Sequence, residues 1–245
     1  MISPLATGLS AGVGAAAAVG LAVGAYAYAS TWPSSTIFGK ALIAPERPSE
    51  IALTFDDGPN AKWTPRLLDA LAKYDVRATF FSLGIHAEAE PALVRQMAAA
   101  GHIVGNHSWD HPNMARSSAQ RIREQLTHTS EMLEQTIGAP VKFFRPPYGA
   151  RRPVVFRIAR EMGLQPVLWN AMTSDWSDPS AQRIAAQLSQ MIAGQRRRGN
   201  AVNIVLHDGG HNDPGANREP SVTAAEMLIQ RHKETYRFVT LDEWS

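Results

Sequence analysis

The sequence predicts an α/β fold built on a parallel sheet, open or closed. Three observations carry this. Short apolar runs alternate with helix-periodic stretches seven times after residue 50, several of those runs end in a polar cluster, and a glycine follows four of the helical stretches. A chain of 245 residues is long enough for one such domain.

The elements follow in order. Met1–Gly39 holds no Asp, Glu, Lys, Arg or His, and Ala, Gly and Val dominate residues 11–25, which marks residues 1–29 as a secretory signal or a membrane anchor. Residues 30–49, with Pro33, Pro45 and Pro48, read as a linker, and the folded domain spans 50–245. Ile51–Phe55 alternates as a strand, Asp57-Gly58-Pro59-Asn60 turns, and Thr64-Pro65 is placed to start a helix carrying Leu67, Leu68 and Leu71. Ala78–Leu83 is a second strand. A helix through Leu93 and Met97 stops at Gly101, and His102–Val104 is a third strand. Ile122, Leu126, Leu133 and Ile137 share a helical face before Gly138. Val141–Phe144, Pro166–Trp169, Val202–Leu206 and Phe238–Leu241 are the remaining strands. Between them lie helices at Val154–Met162, at Ile184–Ile192 ending at Gly194, and at Ala224–Arg231.

Composition removes several classes. Cysteine is absent, so disulfides, thiolate metal sites and a cysteine nucleophile are excluded. A net charge of +2 gives no footprint for nucleic acid, and the one basic run, Arg196-Arg197-Arg198, reads as a solvated helix end.

The polar clusters are Asp56-Asp57, His107 with His111, Arg145-Pro146-Pro147-Tyr148, Asp175-Trp176 and His207-Asp208. A parallel α/β sheet gathers such strand ends on one face, where sites are built. His107 and His111 are four apart, so one helical turn would aim both imidazoles at one ion. Taken alone, such a pair equally fits surface or capping histidines. Two adjacent aspartates repel unless a cation or an arginine compensates, and one can bind a metal while the other stays free as a base. Asp208 reads as a turn former before Gly209-Gly210, and His86, His102, His128 and His232 as structural or exposed, with His211 placed near the cleft.

These clusters resemble, in order, the motifs of the polysaccharide deacetylases (the NodB-homology or carbohydrate esterase 4 family). Thr54-Phe55-Asp56-Asp57-Gly58-Pro59 matches the first motif, His107-Ser108-Trp109-Asp110-His111 the second, Arg145-Pro146-Pro147-Tyr148-Gly149 the third and Leu206-His207 the fifth. The fourth, D-x-x-D-W, keeps Asp175 and Trp176 but has Met172 in place of its first aspartate. The resemblance implies a distorted, TIM-barrel-like (β/α)7 barrel and hydrolysis of acetamido groups on an N-acetylated polysaccharide, peptidoglycan or chitin-like, outside the cytoplasm. It implies one divalent ion on Asp57, His107 and His111, zinc by default, with cobalt, nickel or manganese also suited to those ligands. It further implies Asp56 as general base oriented by Arg145, and His207 as general acid tuned by Asp175. The backbone of Tyr148 would face the oxyanion, and Pro147, Trp176 and Leu206 would contact substrate. The same motifs serve O-acetyl esterases on xylan and small-molecule amidases, and an inactive membrane-tethered glycan binder is a further alternative.

Overall fold

A computed structural model describes residues 20–177 and 180–245. At its centre is β1 (Glu50–Asp56), all seven residues buried. Around it stand β2 (Thr79–Ser82), β3 (Ile103–Asn106), β4 (Phe143–Phe144), β5 (Gln165–Pro166), β6 (Ala171–Met172), β7 (Val202–His207) and β8 (Arg237–Val239). The sheet runs β5-β4-β3-β2-β1-β7-β6 with every pair parallel. One flank of β1 lies along β7; the other is shared, with β8 against Glu50–Ala52 and β2 against Thr54–Asp56. The result is a curled half-barrel whose edges are β5 and β6, as the distorted seven-repeat expectation requires.

Strand alternation divides the interior into two layers. Ile51, Leu53 and Phe55 of β1 and Val202, Ile204 and Leu206 of β7 face the outer helices. Those helices are α1 (Trp63–Lys73), α2 (Gly84–Ala89), α3 (Pro91–Ala99), α4 (Ala119–Ile137), α5 (Pro153–Glu161), α6 (Ala181–Arg197) and α7 (Glu219–His232). Inside the barrel, Ala52, Phe81, Phe143, Val167, Val239 and Leu241 form a second cluster that plugs its lower half. Gly105 of β3 sits against this plug because a Cβ there would lie 2.8 Å from the Phe81 ring and 3.3 Å from the Phe143 carbonyl.

Several boundaries differ from the sequence reading. α1 begins at Trp63, two residues early, because the Asn60 side chain accepts from the Lys62 and Trp63 N–H groups. α6 runs through Gly194 to Arg197; the left-handed residue that stops the chain is Gly199, at φ 78°. α2 was not read at all.

The proline-containing segment 30–49 lies bonded to the barrel. Leu42 bridges Val167 in parallel at the open seam, and Pro45 accepts from Ala201. Arg151, fully buried, donates to the carbonyls of Ser30, Trp32, Ser35 and Gly149. Residues 20–31 are helical, with Leu21, Val23, Tyr26 and Tyr28 exposed. Residues 1–19, which carry most of the expected signal or anchor, lie outside the described residues. Among the described residues no helix is long and apolar enough to cross a membrane.

Candidate active site

All five clusters meet at the C-terminal ends of the strands. Asp56 and Asp57 close β1, His107 follows β3, Arg145 follows β4, and His207 closes β7 opposite Asp56 in register. Asp175 and Trp176 lie on a short 3₁₀ turn after β6. Among the described residues, five non-glycine positions have positive φ, and four are here: Asp57 (68°), Ser108 (72°), His111 (60°) and Tyr148 (58°). Such conformations cost on the order of 1–3 kcal/mol each and concentrate where geometry serves chemistry. They also correct the helical expectation for the histidine pair. His107 and His111 flank an irregular loop whose left-handed turn at Ser108, held by Asn106 accepting from its N–H, brings the two rings together. Gly209 is required beside them, since a Cβ would overlap the Asp57 backbone.

Asp57, His107 and His111 are buried and offer three ligand atoms within 4.8 Å of one another. The His107 Nδ1 lies 2.8 Å from the Arg145 carbonyl, which can only accept, so Nδ1 carries the hydrogen. Its Nε2 therefore faces the cluster, 3.4 Å from Asp57 Oδ1, with His111 Nε2 at 3.2 Å from the same oxygen. Asp57 Oδ1 and His111 Nδ1 are buried without a hydrogen-bond partner. Burial, then the neighbouring His107, drives the His111 pKa down to about 3, so its ring is neutral. Burial would raise the Asp57 carboxyl, but the imidazoles of His107 and His211 hold it well below the ordinary range. A buried carboxylate and two converging imidazoles suit a divalent cation, and three protein ligands leave a position open.

Asp56 stands beside this cluster. Its Oδ1 takes a 2.7 Å bond from Arg145, and its Oδ2 faces His107 Nε2 at 3.9 Å. Arg145 is completely buried, lies 4.2 Å over the Phe81 ring and also donates to Thr54 Oγ1. Burial lowers the Arg145 pKa, and the Asp56 charge and hydrogen bond offset part of that. Across the cleft, His207 Nδ1 is 2.8 Å from Asp175 Oδ1, while Asp175 Oδ2 accepts from the His207 N–H and Ser221. Burial would lower the His207 pKa, but the Asp175 charge and hydrogen bond, with Asp57 and Asp56 behind them, raise it to about 9.

Asp56, Asp57, His107, His111 and His207 line one cleft of about 490 Å³ with Pro146, Tyr148, Met172, Trp176, Val205 and His211, while Arg145 and Asp175 act on it from behind the wall. Trp176 stands edge-on to His207 at 5.1 Å. Two residues expected to contact substrate do not reach it. Leu206 faces the helices, because the strand period puts Val205 and His207 inward, and Pro147 is buried behind Pro146. Asp208 has a structural contact: buried, 2.5 Å from Thr64 Oγ1, its pKa raised by burial to about 7.

Sequence reasoning missed several supporting groups. His86 Nδ1 donates to the Asp57 carbonyl, and Asn203 contacts Arg145 from β7. His211, which the sequence does place near the cleft, stacks on His111 and reaches both Asp57 Oδ2 and the Tyr148 hydroxyl. Its place after the fifth motif was the one signal available.

The chain resembles known proteins over most of its length. Residues 44–167 match the family model described as polysaccharide deacetylase. The peptidoglycan-N-acetylglucosamine deacetylase of Bacillus cereus is 37% identical over 205 residues, 83% of this chain and 71% of that protein. A crystal structure of a peptidoglycan N-acetylglucosamine deacetylase bound to 4-naphthalen-1-yl-N-oxidanyl-benzamide superposes with a TM-score of 0.74 at 36% identity, covering 83% of this chain and 91% of that one. The family 4 acetyl xylan esterase of Clostridium thermocellum, solved with cobalt, gives 0.69 at 34% identity over 79% of this chain and 89% of the other.

Proposed function

Because the chain belongs to the polysaccharide deacetylase family, we propose that it hydrolyses N-acetyl groups on a cell-wall polysaccharide of the peptidoglycan type, releasing acetate and leaving a free amine. The observation that carries the reading is the division of labour across the cleft: a three-ligand cluster, a separate pinned carboxylate, and a protonated imidazole opposite.

Asp57, His107 and His111 would hold one divalent ion, zinc in the first instance. When bound, that ion lowers the pKa of water and polarises the acetyl carbonyl. Asp56 Oδ2 then accepts the proton of the attacking water while Arg145 fixes Oδ1, so the carboxylate cannot rotate away. The Tyr148 backbone N–H, set by its left-handed turn, faces the oxyanion. His207 keeps Nδ1 on Asp175 and gives its Nε2 proton to the departing nitrogen. Trp176 and Val205 wall the acetyl group. Residues 1–29, which carry no charged side chain, would supply export, as a cleaved signal or a tether, toward a substrate that lies outside the cell.

The acetyl xylan esterase likeness favours one second reading, O-deacetylation. An amine needs a proton to leave more than an alkoxide does, and the strongly held His207 proton supports the amide. A binding module would need no acid, base and ion cluster together. Acetate release from N-acetylated peptidoglycan strands, N-acetylchitooligosaccharides and acetylated xylan, with and without chelator, tests the reading. Chelator-sensitive release from an N-acetylated substrate is expected; release from xylan alone overturns it.

A further inference from the structure

A second, larger groove, about 1040 Å³, opens at the unclosed seam of the barrel between edge strand β6 and α6. Met172 lines both this groove and the catalytic cleft, so the two adjoin at that side chain. The outer wall is a stripe of α6: Arg183, Gln187, Gln190, Gly194 and Arg197, spaced four, three, four and three residues, which is one helical face. Fourteen residues at 1.5 Å each make it about 21 Å long. Arg198 extends it.

Three features mark it as a site for an anion. First, Arg183, Arg197 and Arg198 are exposed, and none pairs with a carboxylate among the described residues. None of the described residues lining the groove is acidic. Second, Thr173 is 7% exposed, lines the floor, and leaves its Oγ1 without a hydrogen-bond partner. Third, Gly194 stands inside a helix, where glycine costs about 0.5–1 kcal/mol relative to alanine. A Cβ there would approach only arginine side-chain ends, at 3.7 and 4.0 Å, so core packing does not demand the glycine; its absence of side chain keeps the trough open.

We infer that this groove binds a carboxylate-bearing glycan strand as it leaves the catalytic cleft. The arginines take its carboxylates, and Gln187, Gln190 and Thr173 take hydroxyl and amide groups. The inference rests on the deacetylase reading and specifies it: the preferred polymer is anionic, with carboxylates on side groups of the strand.

The test uses the full chain with zinc and the triple variant Arg183→Gln/Arg197→Gln/Arg198→Gln, with the triple lysine replacement as control. On peptidoglycan strands carrying free carboxylates, kcat/KM of the glutamine variant should fall at least tenfold, through KM. On a neutral N-acetylglucosamine tetramer it should stay within twofold. Lysine should restore most of the loss, and 0.5 M salt should erase the wild-type advantage. Equal effects on both substrates, or none on the anionic one, overturn the groove. Cosedimentation with the carboxylated strands reads binding without turnover. Retention of wild type and release of the variant support the groove even in a chain that frees no acetate, an outcome that would defeat only the deacetylase reading. Equal retention, or retention of wild type by DNA and not by the strands, overturns it.

Discussion

Replacing Asp175 by asparagine should move the alkaline limb of the pH profile. The amide keeps the volume and an acceptor for His207 Nδ1 but removes the charge that is the principal cause of the raised His207 pKa, from 6.5 to about 9. Without it, burial is opposed only by the smaller contributions of Asp57 and Asp56, and the pKa falls back toward 6.5. At pH 8 a group titrating at 9 is about 90% protonated and one at 6.5 about 3%, a difference of about 30-fold; at pH 6 the difference is under about twofold. The assay is kcat/KM for acetate release from a neutral N-acetylated oligosaccharide between pH 5.5 and 9.5, wild type beside Asp175→Asn. The loss should therefore grow from small at pH 6 to at least about 30-fold at pH 8. Parallel profiles would refute the reasoning, because they would mean that the reaction does not use the His207 proton. The same pair bears on folding. A histidine whose pKa is raised in the folded state stabilises fully below its unfolded value of 6.5, and that contribution disappears as pH climbs through about 9. The shift corresponds to about 3 kcal/mol, so wild-type thermal stability should decline across that window more than that of the variant.

Other outcomes follow from the same geometry. Chelation should abolish activity, zinc or cobalt should restore it, and His107→Ala/His111→Ala protein should bind metal far more weakly in a competition titration. Deleting residues 1–29 leaves the Ser30, Trp32 and Ser35 carbonyls on Arg151 and should yield folded, active protein, whereas deleting 1–36 strips that buried guanidinium of three of its four acceptors. The longer truncation should lose on the order of 2 kcal/mol in denaturant titration; equal midpoints would show that the segment does not brace the barrel. Gly105→Ala should cost about 1–3 kcal/mol by crowding the Phe81 ring, read the same way.

Much of this molecule is legible in its sequence for identifiable reasons. β1 and β7 are long and central, so their spans can be read, and the period of two from Asp56 and His207 gives the inward set Thr54, Asp56, Val205 and His207, although Ile204-Val205-Leu206 is apolar throughout. β4, β5 and β6 shrink to two paired residues each, because the curl of the sheet leaves its edge strands little overlap, and no local pattern reports that. The histidine pair shows the opposite problem. Its spacing of four suggested a helix, while two left-handed residues build the convergence instead. Leu206 was misplaced for want of applying the strand period to its motif. Ser221, Asn203 and His86 act on the site from distant elements, and only the tertiary structure joins them to it.

The central claim is that adjacent aspartates do different work, Asp57 holding the ion and Asp56 taking the proton. Metal content and acetate release measured on the same samples of Asp56→Asn and Asp57→Ala test it directly. Asp56→Asn leaves all three ligands in place and should keep its zinc while losing about 10²–10⁴-fold in rate, the usual contribution of a positioned base. Asp57→Ala should lose the metal itself. An Asp56→Asn protein with full metal and a near-normal rate would remove Asp56 from the reaction, and one that sheds its metal would make Asp56 a ligand, contradicting the division.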